Sequence, residues 1–91
     1  MKKCLTVYFS GLVQGVGFRF TAQRIARRFE VAGYVRNQPD GKVKLAAEGE
    51  EEVLRDFVQA LRESSLKSYI REVDLEWSDR LDHFQTFEIV V

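Results

Sequence analysis

Apolar and polar side chains alternate with a period of two over residues 4–10, where Leu5, Val7 and Phe9 share one face. That pattern predicts a half-buried strand. Over residues 20–31 the period lengthens: Ala22, Ile25, Ala26 and Phe29 recur at helical spacing, and Gln23, Arg24, Arg27, Arg28 and Glu30 take the other side. This stretch is expected to be a helix, stopped by Gly33. Residues 33–37 form a second short strand, and Gln38-Pro39-Asp40-Gly41 is a turn, with proline preset for it and glycine free to take positive φ. A third strand covers residues 42–48, with Val43, Leu45 and Ala47 on one face, so strands two and three make a hairpin. Gly49 and the acidic run Glu50-Glu51-Glu52 open a second helix, the carboxylates lying at the positive end of its dipole. Val53, Leu54, Phe57, Val58 and Leu61 form its apolar stripe, Glu51 and Arg55 pair across one turn, and Ser64-Ser65 ends it. Val73, Leu75 and Trp77 then alternate with Glu72, Asp74 and Glu76, predicting a strand over 70–77. A polar turn around 78–82 leads to a short last strand with Phe87, Ile89 and Val91 on one parity.

The order β-α-β-β-α-β is that of an α+β, ferredoxin-like sandwich: a largely antiparallel sheet with both helices on one face. The expected strand order is 4-1-3-2, with the C-terminal segment as a short fifth strand at an edge. Many unrelated activities share this fold, so it does not name a function.

Ninety-one residues, 45% of them apolar, make one domain over residues 1–91 with a core that needs neither disulfide nor metal. Fourteen basic and fourteen acidic side chains cancel, which argues against a general surface for nucleic acid or anionic membrane. Cys4 is the single cysteine and His83 the single histidine, too few for a structural zinc site. Cys4 is expected to be a small filler, His83 a surface residue, and the Glu50-Glu51-Glu52 run no metal site, because consecutive helix positions do not converge on one ion. Neither a signal peptide nor a membrane span is recognised, so a cytoplasmic monomer is expected.

Candidate chemistry concentrates between the first strand and the first helix, in Gly11-Leu12-Val13-Gln14-Gly15-Val16-Gly17-Phe18-Arg19. Such a turn can aim several backbone N–H groups at one point, backed by the helix dipole, and Arg19 adds a planar fork of donors for phosphate oxygens. The same spacing also suits a plain strand-to-helix turn with Arg19 as a solvated charge. It does not match the dinucleotide G-x-G-x-x-G loop, and no G-K-[ST] ending is present, so nucleotide binding is disfavoured.

Taken together, Gly11-x-Val13-Gln14-Gly15-Val16-Gly17-Phe18-Arg19, then Gly33-Tyr34-Val35-Arg36-Asn37, then Asp40-Gly41-x-Val43 resemble the acylphosphatases over nearly the whole chain. The Glu48-Gly49 step and the Phe87-Glu88-Ile89 ending fit as well. The resemblance implies hydrolysis of the carboxyl-phosphate bond of a small acyl phosphate to a carboxylate and inorganic phosphate, without metal or cofactor. By motif it makes Arg19 and Asn37 the catalytic pair, Arg19 binding phosphate and Asn37 positioning water. The phosphate cradle is the backbone of Gly15, Val16, Gly17, Phe18 and Arg19. Two features depart from the family: Glu63-Ser64-Ser65-Leu66-Lys67 replaces a common Gly-Pro-Pro-type turn, and Val90-Val91 replaces a frequent tyrosine near the carboxyl terminus. They bear on local packing, not on the motif positions.

Two other readings compete. The loop could hold carbamoyl phosphate or another phosphorylated ligand without turnover, as such domains do inside larger maturation enzymes; the short chain favours the free enzyme. RNA could lie on the sheet, with Tyr8 and Tyr34 facing outward, but residues 42–48 carry no aromatic, so nucleic acid is disfavoured.

Overall fold

The computed structural model describes residues 1–91. In chain order the elements are β1 (Lys2–Gly11), α1 (Phe18–Ala26), β2 (Ala32–Asn37), β3 (Val43–Glu50), α2 (Glu51–Glu63), a 3₁₀ turn (Ser65–Tyr69), β4 (Ile70–Ser78) and β5 (Phe87–Ile89). The strands form one sheet in the order β4-β1-β3-β2-β5. Every pairing is antiparallel except that of β5, which runs parallel to β2. The expected order holds, and the C-terminal segment is the fifth strand.

The period-two pattern decides which face is covered. Leu5, Val7 and Phe9 of β1 join Val35, Val43, Leu45 and Ala47 in one core with Phe18, Ala22, Ile25 and Ala26 of α1 and Leu54, Phe57, Val58 and Leu61 of α2. The opposite face carries Tyr8, Tyr34 and Lys44, the Lys44 ammonium lying 5.9 Å from both tyrosine rings. At the β4 edge the helices no longer cover the sheet fully: Val73 and Trp77 pack on the core, and Leu75 is exposed.

Three expectations need correction. Helix α1 begins at Phe18 and ends at Ala26, not at 20 and 31. The Arg28 and Phe29 N–H groups donate to Ile25 and Ala26, a tighter winding that swings the chain round so that Ala32 meets Glu48 in register. Phe29 keeps its apolar place by packing on Phe57, with ring centroids 5.7 Å apart, so the periodicity outlasts the helix. Gly33 is therefore no helix stop. It lies within β2, where a Cβ would sit 1.8 Å from the Ala46 carbonyl oxygen, and only glycine permits that approach.

The entry to α2 also differs: Gly49 and Glu50 stay in β3, held in register by Lys3 and Lys2 of β1, and the helix starts at Glu51, which pairs with Arg55 at 2.8 Å as expected. In place of the Gly-Pro-Pro-type turn, the Ser64 hydroxyl donates to the Leu61 carbonyl at 2.6 Å and accepts from the Leu66 N–H at 3.1 Å. That hydroxyl ends one helix, starts the next turn and seats Leu66 in the core. Between β4 and β5, residues 79–86 return across the uncovered face. There the buried Glu48 carboxylate accepts the N–H groups of Asp82 and Phe84, and Phe84 meets Tyr34 edge to face.

Candidate active site

Val13 is buried and Val16 packs against the core, so these two valines pin the β1–α1 loop while the glycines leave its backbone open. Gly15 and Gly17 have φ of 78° and 76°, in the left-handed region where a side chain is strained. A Cβ on either would touch nothing within 4 Å: conformation, not crowding, calls for glycine there. Gly17 caps α1 without any side-chain hydrogen bond.

The backbone donors of this loop are left over. The first N–H of α1 to be satisfied is that of Thr21, donated to Gly17 at 3.1 Å. Those of Phe18, Arg19 and Phe20 have no acceptor in the helix, as geometry requires of a first turn. No protein group accepts from Gly15, Val16 or Gly17 either. Six consecutive N–H groups thus remain available at the positive end of a helix dipole.

A cleft of about 90 Å³ lies beside them, lined by Val13, Gly15, Gly17, Phe18, Arg19 and Phe20 and, from the next strand, by Asn37. That is roughly three times the ~30 Å³ share of a liquid water molecule, on the scale of one phosphoryl-sized group. Asn37 reaches it as the last residue of β2. Arg19 is half-buried and makes no ion pair. Of the expected site residues, Val16 alone does not line the cleft; its side chain is turned to the core.

Sequence reasoning missed the residue that ties these pieces together. The Gln14 side-chain amide donates to the Gln38 carbonyl at 2.7 Å and to the Lys42 carbonyl at 2.9 Å. It bridges the glycine loop to the turn that follows Asn37, and so leaves Asn37's own amide free of any backbone duty. The available signal was a polar residue in the middle of a glycine-rich loop; its partners, 24 and 28 positions away, were not legible. On the loop's other flank the Leu12 N–H donates to the Tyr69 carbonyl at 3.0 Å.

A larger depression of about 570 Å³ at the opposite end of the sheet is lined by three carboxylates, Glu30, Glu48 and Glu50, against one cation, Lys2, a poor setting for an anion. Nowhere do three His, Cys, Asp or Glu side chains gather as a ligand set, and no helix is long and apolar enough to cross a membrane. Cys4 is buried on the uncovered face. Burial, then the charges of Glu48 and Asp82, push its thiol up, which leaves it a poor nucleophile.

The family model described as Acylphosphatase matches residues 5–89. The chain belongs to the acylphosphatase family. It is 48% identical to the acylphosphatase of Bacillus velezensis over 87% of this chain and 88% of that one. Over the full length of both chains it superposes on the crystal structure of the acylphosphatase from Bacillus subtilis, with a TM-score of 0.91 and 36% identity. It also resembles HypF of T. kodakarensis, with a TM-score of 0.84 and 27% identity over 98% of this chain but 12% of that one. Within the acylphosphatase family, then, this member closes its second helix with a serine.

Proposed function

We propose that this acylphosphatase-family enzyme hydrolyses the carboxyl-phosphate bond of small acyl phosphates, with Arg19 and the N–H groups of residues 15–19 holding the phosphoryl group and Asn37 aiming the water. The observation that carries this reading is one small cleft lined by Gly15, Gly17, Phe18, Arg19, Phe20 and Asn37, in a loop whose N–H groups have no protein acceptor, with an unpaired guanidinium and a free carboxamide beside them. Phosphoryl transfer asks mainly for positioning and for stabilisation of charge on the equatorial oxygens, and this donor set suits both. The leaving group is a carboxylate, stable enough to depart without strong acid catalysis, so no covalent enzyme intermediate is needed. The Asn37 amide oxygen accepts a hydrogen bond from the water and holds it in line with the departing oxygen. An amide is no strong base; the water's proton passes to the substrate phosphate or to solvent. In this reading the enzyme works without a metal, as a cytoplasmic monomer, and its balanced charge gives it no long-range pull toward nucleic acid or anionic membrane.

The test is phosphate release from benzoyl phosphate in excess chelator, by wild type and by Arg19→Ala. Fast wild-type turnover is expected, with the variant slower by ~10²–10³-fold and weaker in binding inorganic phosphate. Wild-type hydrolysis no faster than the uncatalysed rate would sink the proposal. It would favour the second reading, a phosphate- or carbamoyl-phosphate-binding module, in keeping with the likeness to 12% of a longer chain, HypF.

A further inference from the structure

Of the seven phenylalanines, six are buried or half-buried, and Phe20 alone is exposed, with 75% of its surface in water. A folded chain ordinarily does the reverse with a phenyl ring. A lone exposed apolar side chain needs no explanation in itself; this one lines the cleft beside Arg19, facing the same small space as Asn37. Its near neighbour Phe18 does the opposite, turned inward with its ring 4.8 Å from that of Phe9. The two aromatics on either side of Arg19 therefore serve different ends, one fastening the helix start to the core and the other presenting a hydrocarbon surface at the mouth of an anion cradle.

An acyl phosphate has two chemically unlike ends. Its phosphoryl oxygens match the loop N–H groups and the guanidinium. In-line attack by water requires the carboxyl oxygen to leave on the side away from that water, so the acyl group must project out of the cradle over its rim. The cleft itself, at about 90 Å³, has no room for a bulky acyl group. Phe20 also borders a second hollow of about 230 Å³ along α1, with Arg24 and Arg27. Phe20, Arg24 and Arg27 follow at i, i+4 and i+7, one helix face. A group leaving the cleft past the phenyl ring meets the ring first and the arginine stems next, both hydrocarbon surfaces.

We propose that Phe20 is the acyl-side wall of this site and determines specificity, favouring acyl phosphates with an aromatic or bulky apolar acyl group over those with a small one. The inference rests on the acyl-phosphate reading above. Stacking or edge contact on the ring strengthens binding of an aromatic acyl group and gives a methyl group little.

The experiment compares kcat/KM for benzoyl phosphate and acetyl phosphate in wild type, Phe20→Ala and Phe20→Tyr, with inhibition by inorganic phosphate measured alongside. Wild type is expected to prefer benzoyl phosphate. In Phe20→Ala the ratio should fall by about ten-fold, mostly through KM, while the phosphate inhibition constant moves less than about two-fold; Phe20→Tyr should restore the ratio. The same wall is read without turnover by titrating benzylphosphonate and methylphosphonate. An unchanged ratio in Phe20→Ala overturns the proposal, as does a joint loss of both substrates and of phosphate affinity, which would mean that Phe20 only supports the loop. If wild type hydrolyses neither substrate but binds benzylphosphonate through Phe20, the hydrolase reading fails and the wall stands.

Discussion

The two ends of the sheet handle the same chemistry in opposite ways. At one end, residues 79–86 bring the N–H groups of Asp82 and Phe84 onto the protein's own buried carboxylate, Glu48. At the other, residues 15–20 bring six N–H groups together, and no protein acceptor meets them. Backbone donors in irregular segments must find acceptors somewhere. Where the chain supplies the acceptor, the segment is a closure; where it does not, the donors are left to solvent or to a ligand from outside. Charge follows the same division, with Glu30, Glu48 and Glu50 outnumbering Lys2 around the closed end and an unpaired Arg19 at the open one.

This contrast can be pressed with substitutions. Beyond Arg19→Ala, the largest effect is expected from Asn37→Ala: turnover should fall about 10²-fold while inhibition by inorganic phosphate stays near wild type. Equal losses of phosphate affinity in the Arg19 and Asn37 variants would contradict the division of roles between them. Next comes Glu48→Ala at the closed end. It strands two partly buried N–H groups, and a loss of about 2 kcal/mol is expected, read as a melting point lower by roughly 10 °C, with kcat/KM little changed at temperatures where the variant is folded. A large loss of activity without loss of stability would show that the two ends are not independent. The smallest effect belongs to Gln14. Its carbonyl partners keep backbone donors of their own, Gly41 on Gln38 and Gln38 on Lys42, so Gln14→Ala should cost only about 1 kcal/mol of stability and about ten-fold in rate. Gln14→Glu should be worse than alanine, because a carboxylate would face two carbonyl oxygens; a glutamate variant as active as wild type would remove Gln14 from the positioning apparatus.

What could be read from the sequence, and what could not, divides by distance along the chain. Alternation in 4–10 and 42–48, the Pro-Asp-Gly turn and the acidic entry to α2 are local signals, and the elements they predicted are present. The end of α1 failed because Phe29 continues the apolar period after the backbone has left the α-helix; burial and hydrogen bonding parted company there. Gly33 was misread because its constraint comes from Ala46, across the sheet. At the site, the glycines and Arg19 were visible from type and spacing, and Asn37 from its motif. Gln14 was not, since its role depends on carbonyls that only the folded hairpin brings near.

The strand that bears Asn37 is braced on one side by β3, its neighbour in sequence, and on the other by a segment about fifty residues downstream. That outer brace is small: Gly33 donates to Thr86, Val90 donates to Val35, and three residues of β5 run alongside. During synthesis the glycine loop, α1 and the hairpin can assemble first, yet β2 stays a bare edge, open to pairing with any other unfolded chain. Residues 86–90 therefore act as a late stopper, taking the strand that carries Asn37 off the edge of the sheet after its other neighbours are in place.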